Sequence, residues 1–382
     1  MYFSVFLGPG VRGPAEDRRA IDLGIQQALE ADEAGFSAVY LGEQHFNNYE
    51  PYSNPFMMAA YLAPNLRRAY LGTSVVPLVL HHPLFMVEQC NLLDQLTQGR
   101  AIIGMSGGRP RQGRTWHKHD LSSEQRSRLF EQKLDVMLSA WAHRAGDPPL
   151  HFATDDEQGV MDGRIMPYSY RDPHPLYAIG TNTPAKIAEA GRLGRKVHLG
   201  PFDSGHAGGV AQLYRTSMEE AGHSPDVVED NLRWLIHTKI IYVGETDSEA
   251  WDVAERLLQG PMVMVPWLKR DPALEGMPLR DVYRMDPGEF APAMGMPESL
   301  PAYLRRMFVI GSPETVAGEL AAYEKAGLSH LHARFIFGDL DVPDVFQRSF
   351  RLFTQEVMPR LGVDVIPGPS AAQVRPEFRN SR

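Results

Sequence analysis

The segment LGEQHF sets a carboxylate, an amide and an imidazole in succession, Glu43, Gln44 and His45, directly after the apolar run Ala38–Leu41. Histidine changes charge near neutral pH, and an adjacent carboxylate can orient it, so these residue types suit a proton carrier with its orienting group. The same trio would also serve as a hydrogen-bonded knot that shapes a loop, and residue types alone leave both readings open. A second cluster, His81 and His82 in LVLHHPLF, has no H-E-x-x-H helix or cysteine set to complete a zinc site. A positioning role, or a loop that leads into a helix, is the expectation there, with no metal. GPGVRG at 8–13 matches G-x-G-x-x-G, but Pro9 removes an amide hydrogen from the loop that should face a pyrophosphate. Glu43 also lies too far along to be the ribose acid, so this segment reads as an ordinary loop.

The elements that must position these residues alternate. Apolar runs at 2–7, 38–41, 70–76, 101–105, 176–179, 196–199, 232–243 and 330–337 are mostly continuous rather than alternating, the pattern of a parallel sheet covered on its outer face by helices. Amphipathic stretches lie between them, as with Ile21, Ile25, Ala28 and Leu29, whose helix should end at the Gly35 turn. EKAGLSHLH near the end of the chain repeats the pattern of ADEAGFSAVY near its start, a helix closing on Ala-Gly and running into a strand. Similar units at both ends predict a closed (β/α)8 TIM barrel as a single domain over 1–361, with long insertions at its C-terminal face. Segments 107–128, 146–175 and 260–301 break the rhythm and are expected to be those insertions, acting as lids or binding loops. The tail at 362–382 has few apolar residues and is expected to be flexible, frayed or laid on a partner subunit.

Composition narrows the partners. The chain has 382 residues, is 43% hydrophobic and 22% charged, and carries a net charge of −9, which opposes binding to nucleic acid or to anionic membranes and favours a small-molecule substrate. Its one cysteine, Cys90, sits in a helical pattern, so no disulfide framework is available. No basic leader precedes a long apolar run, and a cytoplasmic protein is expected.

EAGFSAVYLGEQHF, YLGTSVVPLVLHHPLFMVEQCNLLDQLTQGR and IGMSGG resemble successive segments of the bacterial luciferase-like flavin monooxygenases. The likeness continues through YAIGTNTPAKIAEAGRLG and IGSPETVAGELAAYEKAG to FTQEVMPRL, in the right order. The resemblance implies a (β/α)8 barrel that binds reduced FMN, or in one branch the deazaflavin F420, near the ends of the second to fourth strands. It implies a cis peptide between Ser74 and Val75 beneath the flavin ring. It implies cofactor contacts at Ser106, Gly107, Gly180, Thr181 and Thr183, the last three ahead of a helix whose free N–H groups suit a phosphate. Luciferases carry EHHF where this chain has EQHF, so Gln44 fills the slot of the histidine given the catalytic role; either His45 takes that role over, or the acid-base work is done elsewhere, or the chemistry needs no such base. They also carry an arginine at the position of Gly107; Arg109, Arg111 and Arg114 either reach in from the adjoining loop or form a solvated surface.

The function expected from this resemblance is oxygenation of a small organic substrate by reduced FMN and O2 through a C4a-hydroperoxyflavin. A separate reductase would supply the flavin, since no convincing nicotinamide fingerprint occurs. His45 would carry a proton and Glu43 would orient it, in a protein expected to be a homodimer. The alternatives are an F420-dependent hydride transferase and a noncatalytic flavin-binding subunit. Met262, Met264, Trp267 and Met277 either line the substrate cavity or anchor a lid, and the insertions name no substrate class.

Overall fold

In the computed structural model of the protein, the strands in chain order are β1 (Tyr2–Leu7), β2 (Ala38–Leu41), β3 (Tyr70–Pro77), β4 (Ala101–Ser106), β5 (Leu150–Ala153), β6 (Gln158–Met161), β7 (Leu176–Gly180), β8 (Lys196–Leu199), β9 (Ile236–Val243), β10 (Phe308–Gly311) and β11 (His330–Phe335). The described residues are 1–8, 10–11, 13–46, 50, 52–108, 121–258, 276–286, 299–335 and 343–379. β1 is paired on both edges, with Ser4 opposite Ala38 of β2 and Tyr2 opposite His330 of β11. Parallel pairing then runs β2, β3, β4, β7, β8, β9 and back to β11, closing an eight-stranded barrel. The protein is a TIM barrel, as the alternation of apolar runs and amphipathic stretches predicts.

Helices cover the outer face. α1 (Asp17–Ala34) buries Ala20, Leu23, Gln27, Ala28 and Ala31 along one side, and it ends at Gly35 with φ 90°. Gly327, after the helix Pro313–Lys325, has φ 92°, so the repeated Ala-Gly sequence produces the same left-handed stop at both ends of the barrel. α2 (Pro55–Leu62) follows β2 and starts on the Asn54 side chain, which accepts the Met57 N–H. α3 (Pro83–Leu96) follows β3 and buries Met86, Val87, Cys90 and Leu93 against the sheet.

The apolar run at 232–243 and the tail need correction, and the insertions carry structure of their own. The apolar run at 232–243 is not all strand: Ser224 and Pro225 start a helix, Pro225–Arg233, and β9 begins only at Ile236. Trp234 and Leu235 are apolar because they are buried at the junction, with Trp234 standing edge-on to Tyr70 at 4.9 Å. The insertion at 146–175 contains the antiparallel hairpin β5–β6, whose residues alternate in exposure, and the one at 107–128 gives way at Ser123 to the long helix Ser123–Ala142. The insertion at 260–301 contains the helix Leu279–Arg284, and after it β10 pairs with the second half of β9. The tail does not fray through its described residues. Asp364 pairs with Tyr2, Ile366 is buried in the lower barrel, Tyr70 donates to the Pro367 carbonyl at 2.9 Å, and the Arg375 guanidinium donates to the Pro173 carbonyl at 2.6 Å.

The barrel interior is filled rather than hollow. Phe6, Tyr40, Tyr70, Ile102, Trp234 and Ile236 pack there with Ile366. His198, His330 and His332 are buried in the same space; the Tyr40 ring meets His198 at 5.1 Å and His332 at 5.0 Å, both edge-on. Burial pushes His198 down to about 3 and His330 down to about 4, and His332 lies well below its ordinary value for the same reason.

Candidate functional site

The apolar part of β2 ends at Leu41, and two residues later Glu43 turns into the mouth of the barrel with its carboxylate buried. An unpaired buried carboxylate would be costly, and Glu43 is not unpaired. His45 Nε2 lies 2.7 Å from Oε1, and His81 Nε2 lies 2.9 Å from Oε1 and 2.8 Å from Oε2. An ionised carboxylate only accepts, so both imidazoles must carry their proton on Nε2. In each neutral ring the basic nitrogen is then Nδ1. Glu43 therefore fixes the tautomer of two histidines, and both rings remain partly open to the mouth.

His81 reaches this site because β2 and β3 are neighbours, with Leu41 in register with Thr73, although it lies 38 residues from Glu43. Sequence reasoning allowed it a positioning role without connecting it to Glu43. The readable signal was two histidines after the strand next to the one that carries Glu43. Gln44 is half-buried between Glu43 and His45.

The peptide between Ser74 and Val75 is cis, as the resemblance implies. Val75 lies against Gly180 at the end of β7: a Cβ at residue 180 would come within 2.8 Å of Val75 Cγ1, so the close approach requires glycine there. Strands β2, β3, β4 and β7 are consecutive around the barrel, with Val76 opposite Met105 and Met105 opposite Ile179. Glu43 and His45, Ser74 and Val75, Ser106 and Gly107, and Gly180 to Thr183 therefore lie side by side at four adjoining strand ends.

At one side of this row the donors suit a phosphate. The Thr183 N–H donates to Thr181 Oγ1 at 3.1 Å and the Thr181 N–H to the His198 carbonyl at 3.1 Å, which holds the turn. The helix Pro184–Arg192 follows with no side-chain cap, so the positive end of its dipole stays available. Gly107 packs against the backbone carbonyl of Arg126. Arg126 donates to the Leu121 carbonyl and Ser123 Oγ, and Lys186, in the first turn of the helix Pro184–Arg192, donates to Ser127 Oγ. Neither was singled out from sequence, since both lie inside helices. Arg109, Arg111 and Arg114, and Met262, Met264 and Trp267, lie outside the described residues; Met277 packs against the small core formed by Trp251 and Leu279. Among the described residues no group of three or more His, Cys, Asp or Glu is arranged to hold a metal, and no helix is long and apolar enough to cross a membrane.

Comparison with known proteins agrees with the fold. A segment of 106 residues is 35% identical to limonene 1,2-monooxygenase of Rhodococcus erythropolis, a match that spans 28% of this chain and 27% of that relative's own length. Over nearly the whole chain the fold superposes on a monooxygenase of Streptomyces bottropensis, with a TM-score of 0.72, 22% identity, and 95% of this chain and 100% of that one covered. It also superposes on the oxygenating constituent of 3,6-diketocamphane monooxygenase of Pseudomonas putida, solved in complex with FMN, with a TM-score of 0.69, 18% identity, and 96% and 99% covered. The model of the luciferase-like monooxygenases matches residues 1–330, and the chain belongs to that family.

Proposed function

We propose that the protein is a flavin-dependent monooxygenase that receives reduced FMN from a separate reductase and inserts oxygen from O2 into a small organic substrate. The observation that carries this reading is the carboxylate of Glu43 held between His45 and His81, next to the Ser74–Val75 peptide and a turn suited to a phosphate. Bound reduced flavin supplies the electrons that activate O2. The chain supplies the rest. Thr181, Thr183 and the start of the helix Pro184–Arg192 would hold the phosphate, with Lys186 in the first turn of that helix as a positive charge. Val75 and Gly180, which lie against each other, would form part of the wall that receives the ring. Glu43 holds His45 with Nδ1 basic, so that this atom takes or returns a proton at the mouth of the barrel.

The test is a spectral titration of the purified apoprotein with FMNH2, oxidised FMN and F420, each complex then exposed to oxygen with candidate substrates. Tight FMNH2 binding and substrate-dependent oxygen uptake are expected. Preference for F420 with hydride exchange under anaerobic conditions would replace this reading with the deazaflavin one. Flavin binding that never leads to substrate oxidation would make the chain a noncatalytic binding subunit.

The assembly that supports this activity is a homodimer. α2 and α3 pack side by side and expose Met57 and Tyr61 on one, and Phe85, Leu92 and Leu96 on the other, each set spaced to lie on a single helical face. Large apolar side chains gathered on adjoining helices mark a contact surface, and a second copy would cover it with the same self-complementary face.

A further inference from the structure

Lys133, on the helix Ser123–Ala142, has its side chain 1% exposed. Its Nζ donates to the His81 carbonyl at 2.9 Å and the Val79 carbonyl at 3.3 Å, both in the loop between β3 and α3. On its other side stand Asp156 Oδ2 at 2.9 Å and Glu157 Oε2 at 3.4 Å, from the turn of the β5–β6 hairpin. An ammonium has three donors, and here two carbonyls and two carboxylates compete for them. A buried cation so placed fixes whatever backbone it touches, because movement would leave charge unpaired.

We infer that Lys133 is a positioning residue for the Glu43 site, acting through His81, and that the hairpin is part of the site rather than a surface ornament. The inference rests on the reading of Glu43 and His45 as the proton-handling pair. Lys133 holds the backbone of His81, the imidazole of His81 holds both oxygens of Glu43, and Glu43 holds His45. The hairpin adds a second hold on the same loop, where Phe152 meets the His82 ring edge-on at 5.7 Å.

Asp155 provides an internal control. It fastens the hairpin to the same helix through Arg128 at 2.7 Å and Gln132 at 2.9 Å without touching Lys133. Lys133→Met alone would strand two carboxylates, so the test variant is Lys133→Met with Asp156→Asn and Glu157→Gln, which leaves no charge buried without a partner. Asp155→Asn is made beside it. In the apoprotein labelled with 15N-histidine, the side-chain nitrogen signals of His45 and His81 report their tautomers without any flavin or turnover. The wild type should show both protonated at Nε2. The triple variant should lose this pattern at His81 and shift it at His45, keep its FMN affinity, and lower kcat by about 10- to 100-fold, the cost of misplacing a reacting group by a fraction of an ångström to one ångström. Asp155→Asn should leave both signals in place. Unchanged histidine signals in the triple variant, or the same shift in Asp155→Asn, would overturn the inference. Failure of the wild type to bind flavin would instead remove the proposed function and leave the histidine result to stand by itself. If the triple variant does not fold, Asp156→Asn with Glu157→Gln tests the hairpin's hold, with a smaller shift at His81 expected and an unchanged spectrum overturning the hairpin's part in the site.

Discussion

Glu43 decides which nitrogen of His45 is basic, and that makes His45 the residue whose loss should be felt in turnover rather than in binding. His45→Ala is expected to lower kcat by about 10² to 10⁴, the range for a positioned acid or base, with flavin affinity nearly intact. Gln44→Ala should do much less, because an amide cannot carry a proton at this pH. Stopped-flow and steady-state kinetics of the two variants separate them; equal losses would make His45 structural. Glu43 and His45 were legible in the sequence because they follow a short apolar run at the place where a barrel presents its catalytic side chains. His81 was legible as a candidate for positioning, but not as a partner of Glu43. Its contact with Glu43 spans 38 residues and depends on the register of two neighbouring strands, which residue types do not encode.

The turn from Gly180 to Thr183 works as an element, since it brings two hydroxyls directly ahead of a helix that has no side-chain cap. Replacing Thr181 and Thr183 with alanine should remove two neutral hydrogen bonds of about 0.5 to 1.5 kcal/mol each, weakening FMN by roughly one to two powers of ten while affecting riboflavin less. Equal losses for the two flavins, read by fluorescence titration, would move the phosphate elsewhere. The strands make a separate prediction. His198 is held neutral on β8, pushed down to about 3 by burial, whereas in the unfolded chain it titrates near 6.5. As pH falls through 6.5 the unfolded state takes up a proton that the folded state refuses, so the stability this histidine allows at neutral pH is lost progressively towards pH 3. Between pH 6.5 and 5 the wild type should lose up to about 1.4 kcal/mol per pH unit more than His198→Asn, measured by urea unfolding at each pH. Parallel slopes would show that His198 is protonated in the fold. The main barrel strands were readable because burial on both faces makes them continuously apolar. The hairpin was not, since its strands alternate in exposure over four residues each and carry no continuous apolar run, and the helix Pro225–Arg233 was obscured because its last turn and the start of β9 share one apolar run.

At the scale of the molecule, the tail packs over the lower end of the barrel. Ile366→Ala should lower the free energy of unfolding by about 2 to 5 kcal/mol, as for other buried isoleucines, and a change of less than about 1 kcal/mol would mean that the tail lies only loosely on the barrel floor. The exposed apolar faces of α2 and α3 predict that Leu92→Glu converts dimers to monomers in analytical ultracentrifugation, with little change in the circular dichroism of the separated subunit; an unaltered sedimentation coefficient would place the contact on another face. The overall architecture was legible from repetition, because helices that stop on Ala-Gly and strands that follow at once can tile a ring. The tail was misread because its few apolar residues are single, each matched to one position on the barrel floor. Ring closure also has a consequence for synthesis. Every strand end that carries the candidate site has left the ribosome by residue 183, yet β1 has no partner on one edge until β11 emerges and Tyr2 can meet His330. From then until β11 emerges, the nascent chain holds all the candidate site residues on an open sheet with a bare edge, the state most exposed to wrong pairing. Yield in a heterologous host should therefore respond to slower synthesis and to chaperones that shelter the N-terminal strand, more than to added flavin.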